Sequence, residues 1–196
     1  MARPKEQTAR RGEIVAAAQR AIVERGLAGL RIKDVAREAG LSPGSVSYYY
    51  GDFDDLLADV HQDAVDRFYW QRLAAIEAVD EPAAQLAALV RAGMPASVDD
   101  PTCRVLYELH VHAARNRTHA VLMTALYDRE VSLYQQVLRA LGLGAGVAAM
   151  VAANAVALED AYGLHIVGRN AHVTAAGASA NILAYLTLAT GRDLKG

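Results

Sequence analysis

Apolar residues recur at helical spacing along most of the chain. Ile14, Ala17, Ala18, Ala21 and Ile22 fall on one stripe and predict a first helix over about residues 10–24, ended by Gly26. Ile32, Val35 and Ala36 predict a short second helix over 32–39, stopped by Gly40. Ser42 and Pro43 suit the N-cap and first turn of a third helix that reaches Tyr49 or Tyr50. Gly51-Asp52 breaks it, and a long fourth helix runs over about 53–79. Five more helices are expected over 81–93, 101–115, 118–141, 145–167 and 171–190, separated by Pro and Gly signals such as Gly93-Met94-Pro95 and Gly168-Arg169-Asn170. No stretch alternates apolar and polar residues long enough to read as a sheet. The expected fold is all-α, with about nine helices.

The segment from Ile32 to Tyr50 is two short helices across a tight, glycine-containing turn. Ala36 lets them approach closely, and Val35, Leu41 and Val46 supply a small core between them. This pattern is a helix-turn-helix, whose second helix lies in the DNA major groove. Ser45, Ser47 and Tyr48 on that helix can donate to phosphates or base edges, and Gly44 permits close backbone approach. Lys33 and Arg37, with Arg3, Lys5, Arg10 and Arg11 in the N-terminal tail, can neutralise phosphates. A polar, tyrosine-rich hairpin with no partner is the alternative.

Charge distribution favours the DNA reading. The chain of 196 residues has a net charge of −2, but residues 1–53 hold nine Lys/Arg against six Asp/Glu, and residues 54–196 hold eleven against sixteen. With 53% hydrophobic and 21% charged residues the composition is globular. Cys103 is the single cysteine, so neither an intramolecular disulfide nor a cysteine-built zinc site is available.

These residues resemble the tetracycline-repressor-type (TetR) family. The resemblance rests on Val35, Ala36, Ala39, Gly40, Leu41, Ser42, Gly44, Val46, Tyr49, Tyr50 and Leu56, and covers about residues 10–57. Ser47 is similar to the choline-responsive betaine-pathway branch. The resemblance implies a sequence-specific, DNA-binding transcriptional regulator and not an enzyme: a repressor released from a pseudo-palindromic double-stranded operator by a small-molecule ligand. It implies a helix-turn-helix domain over 1–52 and a ligand-binding and dimerisation domain over 53–196. DNA contacts are expected from Arg31, Lys33, Ser42, Gly44, Ser45, Ser47, Tyr48 and Tyr49. Two positions depart from the family pattern: Arg31 stands where threonine is common, and Phe53 where lysine is common. Phosphate contact is therefore expected to lean on the basic tail.

The last two helices are apolar on wide faces, with Val147, Val151, Asn154 and Leu158 on one and Ala175, Ser179, Ile182, Leu183 and Leu186 on the other. The resemblance implies a homodimer through these helices. The uncharged runs 140–158 and 170–191 are long enough for membrane spans, but their Ala, Gly, Ser, Thr and Asn content reads as protein-buried helix, so no membrane is expected. The N-terminus has no signal-peptide core, and a cytoplasmic location is expected.

Candidate ligand-lining residues are Trp70, Tyr107, His110, Met123, Tyr127, Tyr134, Asn154, Glu159 and Asp160, a mixture of aromatic and polar groups. Asp160 stands out because it follows an uncharged run and a buried carboxylate needs a partner, be it ligand, Tyr134 or Arg104. No cofactor or metal is expected. His110 and His112 are two residues apart, so their side chains diverge by roughly 200° on a helix and cannot chelate one ion. No catalytic residues are expected either: a phosphate loop, a Gly-x-Ser-x-Gly elbow, a dinucleotide fingerprint and a His-Glu-x-x-His motif are all absent from the sequence. An enzyme would have to work from Glu108 with His110, or from Glu159 with Asp160. A helical small-molecule-binding protein without DNA function is the remaining alternative.

Overall fold

The computed structural model describes residues 4–194, with side chains from Glu6 onward; Arg3 and the Lys5 side chain fall outside the described residues. Among them the regular structure is helical only: α1 (Pro4–Arg25), α2 (Ile32–Ala39), α3 (Pro43–Tyr49), α4 (Phe53–Glu77), α5 (Pro82–Gly93), α6 (Pro101–Ala113), α7 (Arg117–Ala140), α8 (Ala145–Val167) and α9 (Ala175–Thr190). Helix α1 starts six residues before the expected Arg10, because its first turns are polar and carry no apolar stripe to mark them. Helix α9 starts four residues after the expected Ala171. Thr174 is its cap, accepting a hydrogen bond from the Gly177 N–H at 3.1 Å.

The chain forms two compact units. Residues Met1–Asp66 and Arg104–Met123 make the first, and Arg67–Cys103 and Thr124–Gly196 the second. Helices α4, α6 and α7 each pass from one unit to the other along the chain.

In the first unit α1 packs on α2, and α2 on α3. The predicted stripe is the buried one: Ile14, Ala17, Ala18, Ala21 and Ile22 of α1 meet Val35 and Ala36 of α2 and Val46 of α3 at the centre of the head. Local chemistry sets the turn. The Asp34 carboxylate accepts from the Arg31 N–H at 3.1 Å at the start of α2. Gly40 ends α2 at φ 66°, in the left-handed region that favours glycine, and the following Leu41 N–H donates to Ala36 O at 2.9 Å. Ser42 Oγ then caps α3 by accepting from the Ser45 N–H at 3.0 Å.

In the second unit α8 packs on α9, and α9 on α5. Leu86, Leu89 and Val90 of α5 share a core with Val137 and Leu138 of α7, Val151, Ala152 and Ala155 of α8, and Ile182 and Leu186 of α9. This corrects the faces assigned to the last two helices. Val151, Ile182 and Leu186 are internal, whereas the exposed stripe of α8 is Val147, Met150, Asn154, Ala157, Ala161 and Leu164. On α9 the exposed set is Ala176, Gly177, Ala180, Asn181, Ala184 and Leu188. Both helices are apolar all round, so the period of their apolar residues could not choose between faces. By length and composition alone α8 could cross a bilayer; 39% of its most apolar window is buried within the chain.

Candidate nucleic-acid interface and buried charge cluster

Helix α3 buries Val46 completely and turns Gly44, Ser47 and Tyr48 outward, with Tyr48 71% exposed. Burial of one apolar side chain thus orients the polar face, because positions 44, 47 and 48 lie on the side opposite 46. Arg31, Lys33 and Ser42 are exposed beside it, while Ser45 and Tyr49 are half-buried. Ser45 Oγ is 2.8 Å from Ser42 Oγ, so that hydroxyl pair is already engaged. The Tyr48 and Tyr49 rings meet edge to face, with centroids 5.2 Å apart. Arg31 and Lys33, with Arg25, line one surface depression next to the turn. All eight sequence-derived DNA candidates therefore belong to the α2–α3 segment, six of them exposed.

The basic tail is less available than its sequence implies. Arg10 pairs with Glu13, and Arg37 with Asp34 at 2.9 Å. Arg11 reaches Asp59 of α4 at 3.0 Å and lies 4.3 Å from the centre of the Tyr50 ring. Asp59 also accepts from the Tyr50 hydroxyl at 2.8 Å. Burial, then this hydrogen bond, pushes the Tyr50 hydroxyl up to about 12, so it stays a donor. The Asp59 hydrogen bond likewise raises Arg11. Arg11, Tyr50 and Asp59 are a strut between α1, the end of α3 and α4. Two further ties hold the same head: Gln19 donates to Asp63 of α4 at 2.6 Å, and the Leu27 N–H donates to Glu108 of α6 at 3.1 Å.

The ligand candidates do not form one group. Tyr107, His110 and Met123 belong to the first unit, and Trp70, Tyr127, Tyr134, Asn154, Glu159 and Asp160 to the second. Trp70 is 58% exposed, Tyr127 42% exposed, and Asn154 is exposed as well. Asp160 is half-buried, and its neighbour Glu159 is the buried carboxylate. Glu159 accepts from the Tyr134 hydroxyl at 2.5 Å and from Arg72 Nη2 at 2.8 Å. Arg72 Nη1 lies 3.2 Å from Glu130. Thus one fully buried guanidinium stands between two buried carboxylates.

Burial raises both glutamates against the pull of Arg72, Glu130 to about 8; Glu159 and Asp160 raise Glu130 further, and Asp160 raises Glu159. Burial opposes the Arg72 charge, but Glu159 and Glu130 outweigh it and keep the guanidinium charged. Arg72 is thus held charged while burial works against both carboxylates being ionised together. Gly93 closes over this cluster: a Cβ there would sit 2.2 Å from Arg72 Nη1 and 2.4 Å from Glu159 Oε1.

Arg72 and Glu130 were absent from the sequence-derived candidates. Their signal was position. Arg72 falls on the buried stripe of α4 with Val65 and Ile76, and Glu130 on that of α7 with Leu126, Leu133 and Val137. The histidines also exceed expectation. His110 and His112 do diverge, yet His112 meets His119 of α7, which contacts His61 of α4. Among the described residues no three His, Cys, Asp or Glu side chains are arranged to hold a metal ion.

A capped two-helix turn on a small helical head, followed by a larger helical unit, defines a helix-turn-helix protein. Residues 14–60 match the family model described as bacterial regulatory proteins, tetR family. Over its helix-turn-helix head the chain is thus similar to the tetR family. It is 39% identical over 85 residues to the HTH-type transcriptional regulator BetI of Burkholderia thailandensis, a match covering 42% of this chain and 43% of that protein's length. Its fold is shared with a transcriptional regulator from Rhodococcus sp. RHA1, at TM-score 0.80 and 23% identity over 95% of this chain and 99% of that one. It is shared also with a transcriptional regulator from Saccharomonospora viridis solved in complex with choline, at TM-score 0.81 and 19% identity over 91% and 96% of the two chains.

Proposed function

We propose that this chain is a sequence-specific transcriptional regulator, a repressor released from its operator by a small-molecule ligand. The observation that carries the reading is the outward face of α3: Gly44, Ser47 and Tyr48 stand on a helix whose seat is fixed by buried Val46 and capped by Ser42. In this reading residues 1–52 bind double-stranded DNA, with α3 in the major groove and Arg31 and Lys33 at phosphates. Residues 53–196 bind ligand and form a homodimer. The apolar stripes of α8 and α9 that remain exposed would meet their two-fold copies as a four-helix bundle. Two heads would then address half-sites roughly 34–36 Å apart. A regulator of this kind works in the cytoplasm.

The ligand class that suits the second unit is polar or cationic. Tyr69, Trp70 and Tyr134 supply aromatic surface on which Arg129 and Arg72 already lie as cations, with Glu159 and Asp160 as acidic groups of the same unit. The choline complex of the Saccharomonospora protein is consistent with this class. Helix α4 carries Arg72 and also Asp59 and Asp63, which hold the head, so a ligand that repacks Arg72 acts on the element that positions α3.

Fluorescence anisotropy with DNA from upstream of the chain's own gene, across a salt series, tests the reading. Binding well above a scrambled duplex that falls steeply with salt is expected, and Tyr48→Ala should abolish the preference while leaving the dimer intact. Equal, weak binding to both duplexes at low salt overturns it.

A further inference from the structure

The first unit contains a histidine cluster that the DNA-binding reading does not use. His61 of α4, His112 of α6, and His119 and Met123 of α7 are in contact, and His110 of α6 acts on His61 electrostatically. His61 Nδ1 lies 2.9 Å from His119 Nδ1, with the rings within 19° of parallel. His61 Nε2 lies 3.2 Å from Met123 Sδ, and the His112 ring stands edge-on to His119 at 4.8 Å. His61 and His119 are wholly buried. The Nε2 atoms of His112 and His119 are buried with no hydrogen-bond partner.

These distances are satisfied by two neutral rings. A thioether sulfur only accepts, so His61 Nε2 carries a hydrogen and donates to Met123. His61 Nδ1 is then a lone pair, and His119 Nδ1–H donates to it. Each ring holds one proton, and both are neutral. A further proton on His61 sets N–H against N–H unless His119 moves its own hydrogen to Nε2, where it has no acceptor. A further proton on His119 goes to a buried nitrogen with no acceptor.

The surroundings also disfavour charge. Burial, then His119, His110 and His112, hold His61 down to about 4. Burial and His112 lower His119, and Asp54 opposes them without prevailing. The same unit shows what the cluster holds in place. His61 sits on α4 between Asp59 and Asp63, which bind Tyr50, Arg11 and Gln19, and α6 supplies Glu108 to the end of α1.

We propose that this cluster makes the DNA-reading head proton-sensitive: neutral, it clamps α4 to α6 and α7 and so fixes the head, and acidification opens the clamp. The proton is an effector in addition to the small molecule of the proposed function. Because the clamp is a property of the free chain, it is tested without DNA, and its failure leaves the DNA-binding reading untouched.

Hydrogen–deuterium exchange on the full chain at pH 7.5 and 5.5, corrected for intrinsic exchange rates, reads it. A ring that is neutral when clamped, and has an ordinary histidine affinity for protons when open, gives about a tenfold loss of protection at the amides of Val35, Val46 and Tyr50. In His61→Asn, which can still donate to a ring nitrogen but does not titrate, the loss should shrink to less than about threefold. Equal protection at both pH values in the unsubstituted chain overturns the proposal, and so does an undiminished tenfold loss in His61→Asn. Should His61→Asn not fold, imidazole NMR of the unsubstituted chain decides: His61 and His119 signals that titrate well below those of exposed His165 and His172 support the clamp, and titration together with them overturns it.

Discussion

Replacing Glu159 and Glu130 with glutamine, singly and together, tests whether the buried cluster works as one unit. Glu130 is raised to about 8, so folding at pH 7 takes up a proton there, and Glu130→Gln, which needs none, should not lower stability. Glu159→Gln removes the carboxylate that accepts from Arg72 Nη2 while the neutral amide keeps the shape. Glu130, 3.2 Å from Arg72, is then relieved of the neighbouring negative charge and ionises in its place. The cost should be about 1–2 kcal/mol, the worth of one charge-assisted hydrogen bond. In the double variant no carboxylate remains beside a fully buried guanidinium, and the loss should reach about 3–5 kcal/mol. The double variant should therefore exceed the sum of the singles by at least about 1 kcal/mol. Urea unfolding at pH 7 and fixed protomer concentration measures all four proteins. Additivity within about 0.5 kcal/mol would refute the idea that the two glutamates substitute for one another.

Glu130 also sets a pH dependence. Its folded affinity for a proton exceeds the ordinary one, so its contribution to stability is complete below about 4.5 and is lost as pH rises to about 8; Glu130→Gln should be more stable than the unsubstituted chain at pH 8, and an unchanged urea midpoint there would count against the assignment. Gly93→Ala should destabilise by at least about 2 kcal/mol, because its Cβ would overlap Arg72 and Glu159; a thermal midpoint equal to that of the unsubstituted chain would show that the cluster yields without cost. Asp59→Asn should raise amide exchange at Tyr50 severalfold by weakening the Arg11 strut, while amides of α8 stay protected. Leu164→Asp should shift the chain towards monomer in analytical ultracentrifugation without changing its far-UV circular dichroism, since Leu164 is 54% exposed on the α8 stripe.

The head was legible in the sequence because local rules and burial agree there. The α1 stripe, the glycine at 40, the Ser42 cap and the inward Val46 each follow from spacing and residue type, and each was found where expected. The tail was not, since its arginines find carboxylates 48 residues away, as Arg11 does at Asp59, or three away, as Arg10 does at Glu13. Charge counting cannot foresee such pairing. In α8 the sequence marks an acidic pair after an uncharged run but cannot say which carboxylate is inside. Positions 159 and 160 diverge by about 100°, and both flanks of the helix are apolar. The buried stripe through Ala152, Ala155, Gly163 and Ile166 selects Glu159. Arg72 and Glu130 were readable as charges at stripe positions, but their partnership depends on packing between α4 and α7.

Helix α4 places polar groups on its buried side twice, at His61 and at Arg72. Apolar side chains of similar volume would stabilise the helix at least as well, since desolvation offsets much of what a buried ion pair or imidazole pair contributes. What the polar groups add is an alternative state within reach. One further proton on the His61–His119 pair leaves a buried N–H without an acceptor, and Arg72 is held by carboxylates whose own protonation can change. An apolar contact has no such second setting. The helix that carries both groups also carries Asp59 and Asp63, the residues that bind the head. A change at His61 therefore acts on the part of α4 that is tied to α1 and to the end of α3. That connection requires no separate relay of side chains, only that α4 stay continuous from Phe53 to Glu77, as it does.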